Sequence, residues 1–158
     1  SLRCDCGEQL ERSLAQIEAA GQGVLVYLAQ EGRGIGLVEK LRAYELQQNG
    51  RDTVDANTEL GHEADPREFH AAAHILRDLD VRSVQLLTNN PRKLEELQRY
   101  GVPVTKRVPI EIAARDTNRS YLTTKRDRLG HILSDDALQG ALNGSSASSH
   151  AQEPSLAR

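Results

Sequence analysis

The chain has 158 residues, of which 38% are hydrophobic and 27% charged, and its formal net charge is −3. That length fits one domain with a sizeable core. No apolar run approaches the ~20 residues a membrane helix needs, and the negative balance disfavours a surface for nucleic acid as a polymer.

Sixteen of the 20 basic residues are arginine, whose planar fork grips phosphate, and only five residues are aromatic, so base recognition cannot depend on stacked rings. The only two cysteines, Cys4 and Cys6, sit too close for a good structural disulfide. With no secretory signal visible, a reducing, cytoplasmic setting is expected.

From Glu8 to Ala20, Leu10, Leu14 and Ile17 recur at helical spacing before Gly21, which predicts an amphipathic helix. The run GVLVYLA then predicts a buried strand from Val24 to Leu28. The loop QEGRGIG opens a second helical pattern, with Leu37, Leu41 and Tyr44 pointing broadly one way until Asn49 and Gly50 end it. A loop is expected through RDTVDANTELGHEA. Asp65 as N-cap, Pro66 at the first helical position and Glu68 at the third predict a further helix with a capping-box start. SVQLL reads as a strand, Asn90 as the cap of a helix starting at Pro91 and ending before Gly101, and VPVTKRVPI as another strand. Alternation of this kind implies an α/β fold, a layered α/β/α domain with a mixed, largely parallel sheet. The domain is expected over residues 1–133, with 134–158 a disordered polar tail.

Three features bear on chemistry. Cys4 and Cys6 are half of a closed zinc site. His70 and His74 share a helix face but lack the glutamate of the zinc-protease motif, and His131 carries no spacing argument, so a solvated role is its default. EGRGIG matches neither the Walker pattern nor the full dinucleotide fingerprint. Placed between a strand and a helix, however, its amides and Arg33 converge on an anion site. TNNPRK is a second such junction, and if both lie at carboxyl ends of parallel strands, Thr88 and Lys93 meet the same ligand as Arg33.

The strings SLRCDCG, QEGRGIGL, KLRAYELQ, DTVDAN, LTNNP and YLTTKRDRLGH, in this order and at natural spacing, resemble GTP cyclohydrolase II of riboflavin biosynthesis over roughly residues 1–133. The resemblance implies hydrolysis of GTP with release of formate and pyrophosphate, leaving a diamino-ribosylamino-pyrimidinone phosphate. It implies a zinc held by Cys4, Cys6 and a third cysteine in an upstream segment, magnesium with the triphosphate, and a homodimer. Tyr44, Asp65 and Arg67 fall at the family's catalytic positions. Gln9, Glu31, Gly32, Arg33, Thr53, Thr88 and Lys93 fall at its GTP-binding positions. Two alternatives are a derived module that binds GTP without turnover and a related cyclohydrolase that stops at an earlier intermediate.

Overall fold

The computed structural model describes residues 2–140. Its sheet has two parallel strands, β1 (Val84–Leu87) and β2 (Val104–Val108), with an irregular register between Val84 and Gln85. Parallel neighbours need a crossover, and it is made by a helix that begins at Pro91, capped as expected by Asn90, whose side chain accepts from the Arg92 N–H at 3.1 Å.

Among the described residues seven α-helices accompany this pair: α1 (Cys6–Ala19), α2 (Gly36–Gln48), α3 (Thr53–Glu59), α4 (His70–Asp78), α5 (Pro91–Arg99), α6 (Arg119–Asp127) and α7 (Asp135–Gln139). The main core lies where α4 and α5 meet the sheet, with Ala73, Leu76, Leu97 and Val102 buried together. A second cluster joins Ala114, Leu122 and Leu138. Helix and strand are therefore mixed around a parallel pair, as an α/β chain requires.

Five expectations are revised. Val24 to Leu28 is extended but forms no strand: residues 22–29 make no inter-strand main-chain bond among the described residues. Only Val26 of this run packs on the main core, while Val24, Leu25 and Tyr27 stay exposed. A strand needs a neighbour to accept its ladder, and no described segment lies alongside this one.

Helix α4 starts at His70, not Pro66, and Asp65 caps nothing regular. Side chains from other elements take the main-chain groups of residues 65–69 instead. Gln30 holds both the N–H and the carbonyl of Glu68, at 3.1 and 2.7 Å. Arg92 donates to the carbonyls of Asp65 and Arg67, and Glu96 accepts from the Phe69 N–H.

The loop expected after Arg51 contains α3, started by Asp52, whose carboxylate accepts from the N–H groups of Val54 and Asp55, both at 2.8 Å. On α2, Leu37 and Leu41 are 58% and 56% exposed, so its apolar residues are not the buried face their spacing predicts. At the start of the supposed tail, Ser134 caps α7, and Ala137 and Leu138 are buried. Residues 141–158 of that segment lie outside the described residues.

Candidate functional site: a cationic cleft at the end of β1

Five segments close around a cleft beyond the carboxyl end of β1: the start of α1, the turn carrying Arg33, the 65–69 loop, the junction from Thr88 to Lys93, and the end of α6 with the loop after it. Parallel strands present such crevices at their carboxyl ends. Of the residues predicted for the site, Cys6, Gln9, Arg33, Arg67, Thr88 and Lys93 line it.

The turn Glu31–Gly34 is unusual in its backbone. Gly32 and Arg33 both adopt left-handed conformations, φ 61° and 62°. A Cβ on Gly32 would stand 3.0 Å from the Ile35 side chain and 3.1 Å from that of Lys40, so position 32 needs glycine on two counts. For Arg33, by contrast, the left-handed backbone is a strain of the order of 1 kcal/mol. Its guanidinium lies 5.4 Å from the Tyr121 ring, and both terminal nitrogens, Nη1 and Nη2, are buried without a hydrogen-bond partner. An arginine held in strained backbone with two buried donors unmet is arranged for an acceptor that comes from outside the chain.

Charge in the cleft is uneven. Arg67 and Asp65 form a forked pair, Nε to Oδ1 at 2.7 Å and Nη2 to Oδ2 at 2.6 Å. Burial pushes the Asp65 carboxyl up, but the Arg67 guanidinium, helped by Arg33, outweighs it and holds the group below the usual carboxylate range. Burial likewise opposes the charge of Arg67, and Asp65 more than restores it. Lys125 is paired with Asp5 at 3.1 and 3.3 Å, both side chains buried. Among the described residues, neither Arg33 nor Lys93 forms an ion pair with a carboxylate. Burial first, then Arg67 and Lys125, lower the Lys93 ammonium from its ordinary value. Arg33, with its terminal nitrogens buried, and the half-buried Lys93 thus share only the Asp65 carboxylate that Arg67 already grips, and an anion relieves both.

The remaining predicted residues do not line this cleft. Glu31 is exposed and held by Lys40 at 2.8 Å and by the Gly32 N–H at 2.9 Å, which keep its carboxyl low. Tyr44 on α2 lies under Arg3, 4.9 Å from ring to guanidinium carbon, and 5.6 Å from the Lys40 ammonium. Thr53 lines a second, polar cleft with Arg3, Arg51 and Ser120, and Tyr121 is a wall common to both clefts. Thr88 donates its N–H to Val108 and accepts from the Asn90 N–H at its hydroxyl, which fixes the junction.

Cys4 is buried and Cys6 exposed, with the two thiols hydrogen-bonded. That bond, then burial, raises the Cys6 thiol well above its ordinary value, so Cys6 stays protonated near pH 7 when no metal displaces its proton. Two adjacent thiols suit zinc, but no group of three His, Cys, Asp or Glu side chains completes a site among the described residues. His70 and His74 form no metal pair: His70 faces Glu68 and His74 faces Arg77.

Sequence reasoning missed Tyr121, Lys125 and His131, all of which line the cationic cleft. The first two carried a usable signal, since they lie four apart on one face of α6. His131 carried none, because its position depends on a turn at Gly130, φ 65°, and on long-range bonds.

The sequence model of the family described as GTP cyclohydrolase II matches residues 1–109. The chain is 57% identical over 134 residues to the riboflavin biosynthesis protein RibBA of Chlorobium phaeovibrioides, covering 85% of this chain and 33% of that protein. The RibBA proteins of Bacillus mycoides and Phocaeicola vulgatus are each 56% identical over 133 residues, 84% of this chain. This chain therefore spans about a third of the length of these relatives.

Proposed function

Since the chain belongs to the GTP cyclohydrolase II family, we propose that it forms the nucleotide-binding part of a riboflavin-pathway enzyme that hydrolyses GTP to formate, pyrophosphate and the diamino-ribosylamino-pyrimidinone phosphate. The observation that carries this reading is Arg33, whose two terminal nitrogens are buried without a partner, in one cleft with the half-buried Lys93 and the Thr88 junction. A polyphosphate supplies the acceptors and the negative charge that this arrangement lacks.

In this reading Arg33 and Lys93 hold the phosphates and Arg67 stabilises charge at the phosphorus from which pyrophosphate leaves. A guanidinium so firmly protonated has no lone pair to attack with, so charge stabilisation is the role its chemistry permits. Asp65, with a lowered carboxyl, is a weak base and serves to aim the Arg67 fork. Gln9 and Thr88 add neutral hydrogen bonds. Glu31 reads the guanine edge, a role that requires it to exchange Lys40 for the ligand. Thr53 lies in the second cleft, across Tyr121, where the rest of a nucleotide extends. Tyr44 assists ring opening by hydrogen bonding or proton transfer.

Cys4 and Cys6 supply two thiolates to a zinc whose remaining protein ligand lies outside the described residues. When bound, that ion lowers the pKa of its water toward neutrality. Magnesium accompanies the triphosphate. A cytoplasmic homodimer with a layered α/β/α arrangement completes the proposal; no helix among the described residues is long and apolar enough to cross a membrane.

The cationic cleft taken by itself also fits, as a second reading, a module that binds GTP without turning it over. One assay on the full-length protein separates them: formate and pyrophosphate release from GTP. Arg33→Ala and Lys93→Ala are each expected to lower kcat/KM by about 100-fold, two lost charge-assisted bonds' worth at ~1.4 kcal/mol per tenfold. GTP binding without formate release supports the second reading. Unchanged kcat/KM in both variants removes the cleft from either.

A further inference from the structure

His131 is 8% exposed and lines the cationic cleft, yet its Nδ1 is buried without a hydrogen-bond partner. The ring is not there by accident of a loose loop. The main-chain N–H of His131 donates to the Lys125 carbonyl at 3.0 Å, and that of Ile132 to the Asn89 carbonyl at 2.8 Å. The imidazole is thus pinned between the end of α6 and the Thr88–Asn90 junction that opens toward Lys93.

An orphaned polar atom in a packed, polar surround calls for an external partner. Arg33 presents the same feature in the same cleft, with two orphaned nitrogens. We infer that His131 is a further ligand-contacting residue of this cleft, donating Nδ1–H to a phosphate oxygen of the bound nucleotide alongside Arg33. The inference rests on the cleft being an anion site, as proposed above.

The choice of donor follows from the surroundings. Arg33, Arg67, Lys93 and Lys125 all line the cleft, and none of them donates to Nδ1. Only an acceptor that enters with negative charge finds this environment favourable, so the imidazole gives a proton to the bond. Burial first, then Lys125, Arg33 and Arg67, push the ring down to about 4 against the opposing pull of the Leu129 main chain, and it is neutral near pH 7. A neutral donor adds a directed bond where a fifth cation would add repulsion.

The test is calorimetric titration of the full-length protein with inorganic pyrophosphate, comparing wild type with His131→Phe and His131→Asn. Phenylalanine fills the space without a polar atom and is expected to weaken binding about tenfold, the loss of one hydrogen bond to a charged group. Asparagine restores a donor near Nδ1 and is expected to recover most of the affinity, which a purely packing role would not produce. If His131→Phe does not fold, the 15N resonance of the wild-type Nδ1 decides: it is expected to shift on adding pyrophosphate, and an unmoved resonance overturns the assignment. Equal affinities in wild type and His131→Phe overturn the role of His131 alone. Failure of wild type to bind pyrophosphate overturns the anion site and this role together.

Discussion

Asp65 illustrates how one residue's identity was readable while its work was not. The tripeptide Asp65-Pro66-Arg67 has the local look of a helix start, yet the carboxylate is spent on Arg67 because Gln30, Arg92 and Glu96 already satisfy the neighbouring main chain. Local capping rules cannot anticipate donors that arrive from 25 or more residues away. Asp65→Asn is expected to destabilise the protein by about 2 kcal/mol at pH 7 by leaving Arg67 half-paired. Since the folded carboxyl lies below its ordinary value, the contribution is full above the normal carboxylate pKa, about 4, and fades as pH falls through the depressed value. Melting temperatures of wild type and Asp65→Asn should therefore differ at pH 7 and converge in strong acid; a constant gap would contradict the pairing.

Elements anchored by their own sequence were legible, and those that depend on neighbours were not. Helix α5 had its cap, proline and terminal glycine in the sequence, and it occupies Pro91–Arg99. The 24–28 run had the apolar content of a strand but no partner to make it one. Helix α3 is short and polar, with Asp52 and Asp55 as its only signature, so no periodicity announced it. Helix α6 contributes at this scale through Lys125, which reaches across 120 positions to Asp5, the residue between the two cysteines. Gln9 also donates to Asp5. This buried pair ties the thiol segment to the cleft wall. Lys125→Met leaves Asp5 buried and unpaired, and urea unfolding is expected to show a loss of about 3 kcal/mol. A midpoint equal to that of wild type would mean that Asp5 finds other partners.

Over the whole molecule, the half of the site built from β1, α5 and their junction was foreseeable, because Thr88, Asn90 and Lys93 are local to one strand-to-helix turn. The other half, Tyr121, Lys125 and His131, enters only through tertiary packing. Exposed apolar side chains also make sense only at this scale: Val24, Leu25 and Tyr27 on the extended run, and Leu37, Val38 and Leu41 on α2, are 40–74% exposed. An extended segment with open main-chain groups and outward apolar residues is prone to pairing with other chains. The 158-residue chain is accordingly expected to bind a hydrophobic dye and to self-associate with rising concentration, and Leu25→Lys with Tyr27→Lys to reduce both by severalfold. Sedimentation velocity checks this, and identical behaviour of the double variant would place the sticky surface elsewhere.

Asn89 serves three segments at once. Its side chain accepts from the Ile110 N–H at 3.0 Å and donates to the Ile110 carbonyl at 2.7 Å, while its carbonyl receives the Ile132 N–H. One small amide therefore acts as a knot between the exit from β2, the exit from β1 and the strand of chain bearing His131. A displacement of any one of these three is therefore passed to the other two, and the wall that carries His131 is kept in register with the ends of both strands.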